Sequence, residues 1–199
     1  MKVFVFTIDQ QHSRQSSDRV PAMIDALADL PTLSGFERTA GDEFQGVLNE
    51  PRAIVDALHR LLRESAWSIG IGVDTVLQPL PMDPRAGRGE AFLAARAAVT
   101  GAKSGPWNLK VVGADHYACR QLETVLWLWA ATLARRTTKG WELAELVESG
   151  LNYEQAAQVI GVTQSAVSQR AQAAGLVEDR RARELIEQQV TDLLTEASP

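Results

Sequence analysis

Strand-forming segments stop at Gly113 and only helical ones follow, and this switch constrains the fold more than any other feature of the chain. Before it, residues 2–8 (KVFVFTI) are rich in β-branched and aromatic types and predict a buried strand. Val20, Ile24, Leu27 and Leu30 follow at helical spacing, and Gly35 breaks that segment. Phe36 to Thr39 and Glu43 to Leu48 predict two strands around an Ala40-Gly41-Asp42 turn. Pro51 suits the first turn of a helix whose apolar face holds Ile54, Val55, Leu58, Leu61 and Leu62. Trp67 to Leu77 predicts a strand in which Gly70 and Gly72 mark a bulge or a close backbone approach. Residues 78–89, with several prolines and glycines, predict a loop; residues 90–103 predict a helix and Asn108 to Val112 a closing strand. A hairpin flanked by β-α crossovers points to a ferredoxin-like α/β sheet. Helices are expected over 121–136, 141–149, 153–160, 164–173 and 181–194. The expected division is an α/β domain over 1–115 and an all-α domain over 116–199.

The single cysteine, Cys119, excludes an internal disulfide framework and a thiolate metal cluster, and fits a reducing compartment. The apolar run Met1 to Ile8 is too short for a signal-peptide core or a membrane span, so a cytoplasmic protein with no membrane partner is expected. The net charge of -5 excludes a uniformly basic nucleic-acid binder. Local charge is different. Arg135, Arg136 and Lys139 form one basic group and Arg180, Arg181 and Arg183 another, on either side of the helical segments around residue 160.

Those segments carry the strongest functional signal, in LNYEQAAQVIGVTQSAVSQRAQAAGL from Leu151 to Leu176. Asn152 is placed to cap a first helix, Ala157 is small where two helices must cross, and Gly161 supplies a left-handed turn. Val162 is expected to point into the core, Thr163 to cap a second helix and Val167 to bury its inner face. The spacing is that of a helix-turn-helix, which resembles the modules of the MarR-like and sigma-factor region-four classes. The resemblance implies contact with double-stranded DNA through Thr163, Gln164, Ser165, Ser168, Gln169 and Arg170. The other use of such a hairpin is packing on a partner protein. The wide apolar faces of 121–136 and 181–194 suggest a homodimer, with ordinary packing inside the domain as the alternative.

At the other end, Asp9 closes the first strand and Asp42 lies in the hairpin turn, so a ferredoxin-like sheet brings them to one edge. Two carboxylates there can hold a divalent metal against a nucleotide phosphate. The run Ala40-Gly41-Asp42-Glu43-Phe44 resembles the signature of GGDEF and nucleotidyl-cyclase palm domains, with alanine for the first glycine. Trp67 to Val73 and Ala91 to Val112 resemble that class's later strand and its closing helix and strand. The whole chain resembles the SatD-like family of small bacterial proteins. The palm-domain resemblance implies Asp9, Asp42 and Glu43 as metal ligands, Ala40, Gly41 and Lys103 as nucleotide contacts, and Mg2+ with a nucleotide as cofactor.

The chain departs from the cyclase pattern at Gln10-Gln11-His12-Ser13-Arg14, where a second acid, a phenylalanine and a lysine are usual. Ser17-Asp18 stands where an asparagine-aspartate pair reads guanine, and no RxxD precedes the signature. The expected function is therefore a DNA-binding transcription regulator whose degenerate cyclase-like domain senses a nucleotide, rather than an enzyme. The alternative is an active metal-dependent nucleotidyl or diguanylate cyclase with helices for dimerisation or docking.

Overall fold

The computed structural model describes residues 1–81 and 86–195; part of the expected 78–89 loop and the last residues of the expected helical domain lie outside these. The first half runs β1 (Lys2–Gln10), α1 (Val20–Leu27), β2 (Ser34–Ala40), β3 (Glu43–Leu48), α2 (Pro51–Arg63), β4 (Trp67–Thr75), α3 (Glu90–Ala102) and β5 (Leu109–Gly113). The strands form one mixed sheet of order β2-β3-β1-β4-β5. β1 pairs antiparallel with both β3 and β4, β2 antiparallel with β3, and β5 parallel with β4.

β1 is central and covered on both faces, which is why its sequence is almost continuously apolar rather than alternating. Phe4, Phe6 and Ile8 join Phe44, Leu48, Ile69 and Ile71 in the main core. Val3 and Val5 belong to a second cluster with Val47, Ala91, Phe92 and Ala95, under α3. The two strand glycines mark a close approach. A Cβ on Gly70 would lie 2.1 Å from the backbone nitrogen of Val99, and one on Gly72 would lie 2.1 Å from the carbonyl oxygen of Ala91. The alanine-rich face of α3 rests on strand backbone with no room for side chains between them.

The second half is helical: α4 (His116–Ala134), α5 (Thr138–Glu148), α6 (Tyr153–Ile160), α7 (Gln164–Ala173) and α8 (Leu176–Thr195). α4 starts earlier than its apolar spacing suggests, because Asp115 caps it by accepting from the backbone of Ala118 at 2.8 Å. The change of periodicity at Gly113 does not separate two cores. Leu122, Leu126, Trp129 and Leu133 of α4 and Ile186, Val190 and Leu193 of α8 belong to the same cluster as Phe6 and Ile71. Most of the apolar residues expected to form a homodimer are thus buried within the chain, while Leu185 stays 48% exposed. Only α5, α6 and α7 hold a small core of their own, of Leu143, Ala156, Ala157, Val167 and Ala171.

No described helix is long and apolar enough to cross a membrane.

Candidate functional sites

α6 and α7 form the expected hairpin of helices. Asn152 Oδ1 accepts from the backbone of Gln155 at 2.9 Å, and Gln155 Oε1 accepts from the backbone of Asn152 at 2.9 Å, a reciprocal capping box. Gly161 ends α6 at φ 76°, a left-handed conformation that favours glycine. Thr163 caps α7, its Oγ1 accepting from Ala166 at 3.2 Å, so this side chain already serves the helix. Val167 and Ala171 turn inward, while Gln164, Ser165, Ser168 and Gln169 are exposed along one side.

Three expectations about this region change. Val162 is 36% exposed rather than buried in the core, because the turn is closed by its backbone, whose N–H donates to Ala157 at 3.0 Å. Arg170 lies back against α5, 3.7 Å from Glu142, with its side chain only 19% exposed. Of the two basic groups, Arg136 is buried and Arg183 is drawn to Asp179, Glu148 and Asp56, which leaves Arg135, Lys139, Arg180 and Arg181 on the surface. From Thr138 to Arg180 the six acids Glu142, Glu145, Glu148, Glu154, Glu178 and Asp179 outnumber the three bases Lys139, Arg170 and Arg180. α7 itself contains no acid.

The acids of the sheet come to one end of it, where the central strand finishes, as expected. Asp9 stands opposite Glu43 in the β1–β3 register, and the Gln10 N–H donates to the carbonyl of Asp42 at 3.0 Å. Each acid there has its own surroundings. Lys103, at the end of α3, donates to Asp9 Oδ2 at 2.8 Å. Thr39 Oγ1 donates to Glu43 Oε1 at 2.7 Å. Gly41 takes φ 57° in the turn, and Arg38 donates to its carbonyl at 2.5 Å. Arg38 also donates to Asp18, and this hydrogen bond holds the Asp18 carboxyl below its usual range. Asp18 therefore already has a cationic partner.

Asp9, Asp42, Ser68, Lys103, Arg14 and Asn108 line an open cleft of about 430 Å3. A second hollow of about 440 Å3 continues it past Arg14 and Asp42 to Asp18, Arg38 and Gly41. Asp9, Asp42 and Glu43 fit Mg2+ in kind, as hard oxygen donors. Their oxygens do not form a group of three within 4.8 Å of one another, and Lys103 stands against Asp9 at 2.8 Å.

Among the described residues, the trio that does converge is His59, Glu148 and Asp179. It holds arginines in place of a metal. Asp179 accepts from Trp129 Nε1 at 2.8 Å, Arg136 Nη2 at 2.9 Å and Arg183 Nε at 3.1 Å, and Glu148 accepts from Arg183 at 2.6 Å. Burial pushes the Asp179 carboxyl up, but Arg183, Trp129 and Arg136 outweigh it and hold the group below its usual range. Burial and the nearby arginines depress His59 to about 3, so the imidazole is neutral. A cation would meet two guanidiniums and no free carboxylate. His59 gave no sequence signal for this position, because it sits among apolar residues of α2 and its neighbours come from α4, α5 and α8.

Comparison of the chain with protein-family models, with curated proteins and with solved structures returned no match.

Proposed function

We propose that the protein is a DNA-binding transcription regulator that reads the major groove with α7. The observation that carries this reading is the α6–α7 hairpin, capped at both helix starts and turned at a left-handed glycine. It presents Gln164, Ser165, Ser168 and Gln169 to solvent with no carboxylate on the helix. Uncharged donors and acceptors on an exposed helix suit base edges, whereas an acid would meet the phosphate potential. Arg135, Lys139, Arg180 and Arg181 are the exposed cations available near it for phosphates. Four such phosphate contacts give a salt slope of about -3.6, a loss of about 100-fold in affinity between about 50 and 200 mM salt.

The cleft at the sheet edge is the sensing site in this reading. Arg14 offers a cation to a nucleotide phosphate, and Lys103 a second once a phosphate draws it from Asp9, beside a ferredoxin-like strand order that supports the palm-domain resemblance. The cyclase alternative is less well supported, because it needs carboxylates that converge on metal, and Lys103 stands against Asp9 instead.

The test is selection of random duplex DNA on the full chain, followed by anisotropy titration at fixed salt. An enriched sequence is expected, and Gln164→Ala with Gln169→Ala should lose about 10- to 100-fold of its affinity, the weight of one bidentate base contact. No enrichment, or an enriched duplex bound equally by the double variant, refutes α7 as the reader.

A further inference from the structure

Arg170 is the one cation of α7, and its place in the helix takes it away from the exposed face. Val167, Arg170, Ala171 and Ala174 follow one another at i, i+3, i+4 and i+7, a single stripe of a helix. Val167, Ala171 and Ala174 are buried. The Arg170 side chain follows the same stripe inward, lies 3.7 Å from Glu142 of α5 and ends in a buried Nη1. A guanidinium seated there does not present its fork to a surface on the other side of the helix.

The opposite stripe is Ser165, Gln169 and Gln172, at i, i+4 and i+7, with Ser168 beside it and Gln164 at the helix start. All five are exposed, and none is ionisable. At a rise of about 1.5 Å per residue the stripe runs about 10 Å, roughly three base-pair steps of about 3.4 Å. Its chemistry discriminates between purines. In the major groove adenine presents an acceptor at N7 and a donor at N6, and one amide matches both. Guanine presents two acceptors, N7 and O6, which call for the paired donors of an arginine or the ammonium of a lysine. An amide turned to guanine satisfies one acceptor and sets its own oxygen or nothing against the other. Serine hydroxyls serve either base.

We infer that α7 selects A·T base pairs, with Gln169 as the adenine reader, its Nε2 donating to N7 and its Oε1 accepting from the N6 amino group. Gln169 is at the centre of the exposed stripe, and the residue that would favour guanine is its neighbour, Arg170, turned inward to α5. The inference rests on the reading of α7 as the helix that enters the major groove, and adds the base that it recognises there.

The test repeats the selection of random duplex DNA with the full chain and with Gln169→Ala, Gln169→Arg and Arg170→Met. The parent motif should hold adenine at one position where Gln169→Ala loses all preference and Gln169→Arg prefers guanine, with the neighbouring positions unchanged. Arg170→Met keeps an aliphatic stem on the inner stripe and should leave the motif as it was. In anisotropy titrations at fixed salt, 7-deazaadenine at that position removes only the N7 acceptor; it should weaken the parent about 10-fold and Gln169→Ala not at all. Guanine at the position that Gln169 governs, or a base preference lost in Arg170→Met, overturns the inference and leaves α7 as a DNA reader. So does an adenine preference indifferent to both Gln169→Ala and 7-deazaadenine, because groove shape would then select it. No enriched sequence at all refutes the DNA reading itself and this inference with it.

Discussion

His59 should make this fold acid-sensitive in a window where few other groups titrate. Its ring lies between Trp129, at 5.7 Å and 22° between planes, and Trp141, at 5.6 Å. Burial, then the neighbouring arginines, depress its pKa from 6.5 to about 3. The folded pKa is lowered, so the stability contribution is fully present above pH 6.5. It is lost as the pH falls, because the unfolded chain takes up a proton that the folded chain refuses until about pH 3. At 1.36 kcal/mol per pH unit, the loss between pH 6.5 and 4.5 is about 3 kcal/mol, a large share of ordinary stability. His59→Phe keeps a flat ring, removes the titration and removes an Nε2 that has no hydrogen-bond partner among the described residues. It should be neutral or mildly stabilising at pH 7. The assay is urea unfolding followed by far-ultraviolet circular dichroism at pH 7, 5.5 and 4.5. Carboxylates also titrate toward the lower end, so the quantity to read is the difference between the two proteins at each pH. That difference should grow by about 3 kcal/mol in favour of His59→Phe as the pH falls to 4.5. Parallel pH profiles for the two proteins would refute a neutral buried imidazole.

Three further perturbations test the packing. Asp179→Ala leaves the fully buried Arg136 guanidinium without its carboxylate and should cost about 3–5 kcal/mol in denaturant unfolding; a loss below about 1 kcal/mol refutes the pairing. Gly72→Ala places a Cβ 2.1 Å from a backbone oxygen of α3 and should cost about 1–3 kcal/mol or more, whereas Gly35→Ala, with nothing within 4 Å, should be within about 0.5 kcal/mol of the parent. Leu193→Asp should lower the melting temperature sharply without changing the mass found by light scattering at temperatures where the variant is folded, because Leu193 is buried inside the chain.

The order of elements was legible because each announces itself locally. The apolar run of β1, Pro51 at the start of α2, the glycines of β4 facing α3 and Gly161 after α6 all act within a few residues. The α6–α7 hairpin was legible for the same reason. What escaped was pairing across the sequence. Lys103 and Asp9 are 94 positions apart, and nothing near either says that the lysine will neutralise a proposed metal ligand. Arg135 and Arg136 look alike in the sequence, yet one is exposed and the other reaches Asp179, 43 positions on. Apolar faces on α4 and α8 likewise predict burial without naming the surface that buries them. The chain supplies that surface itself, in α2 and the sheet.

The way α5, α6 and α7 are attached has a mechanical consequence. Their own small core holds them to one another, but much of their contact with the sheet half runs through arginines. Arg63 of α2 pairs with Glu145 of α5, and Arg183 of α8 joins Glu148 of α5 to Asp56 of α2. Those pairs are partly exposed and hold weakly, about 0–1 kcal/mol each, less at high salt. Arg136 is different. It is sealed from solvent, bonded to Asp179 and to the carbonyl of Ala174 just after α7, and stacked on Trp141 of α5. Hydrogen bonds from a planar guanidinium are directional, so this residue ties the end of α7 to α8 and α5 in a defined geometry.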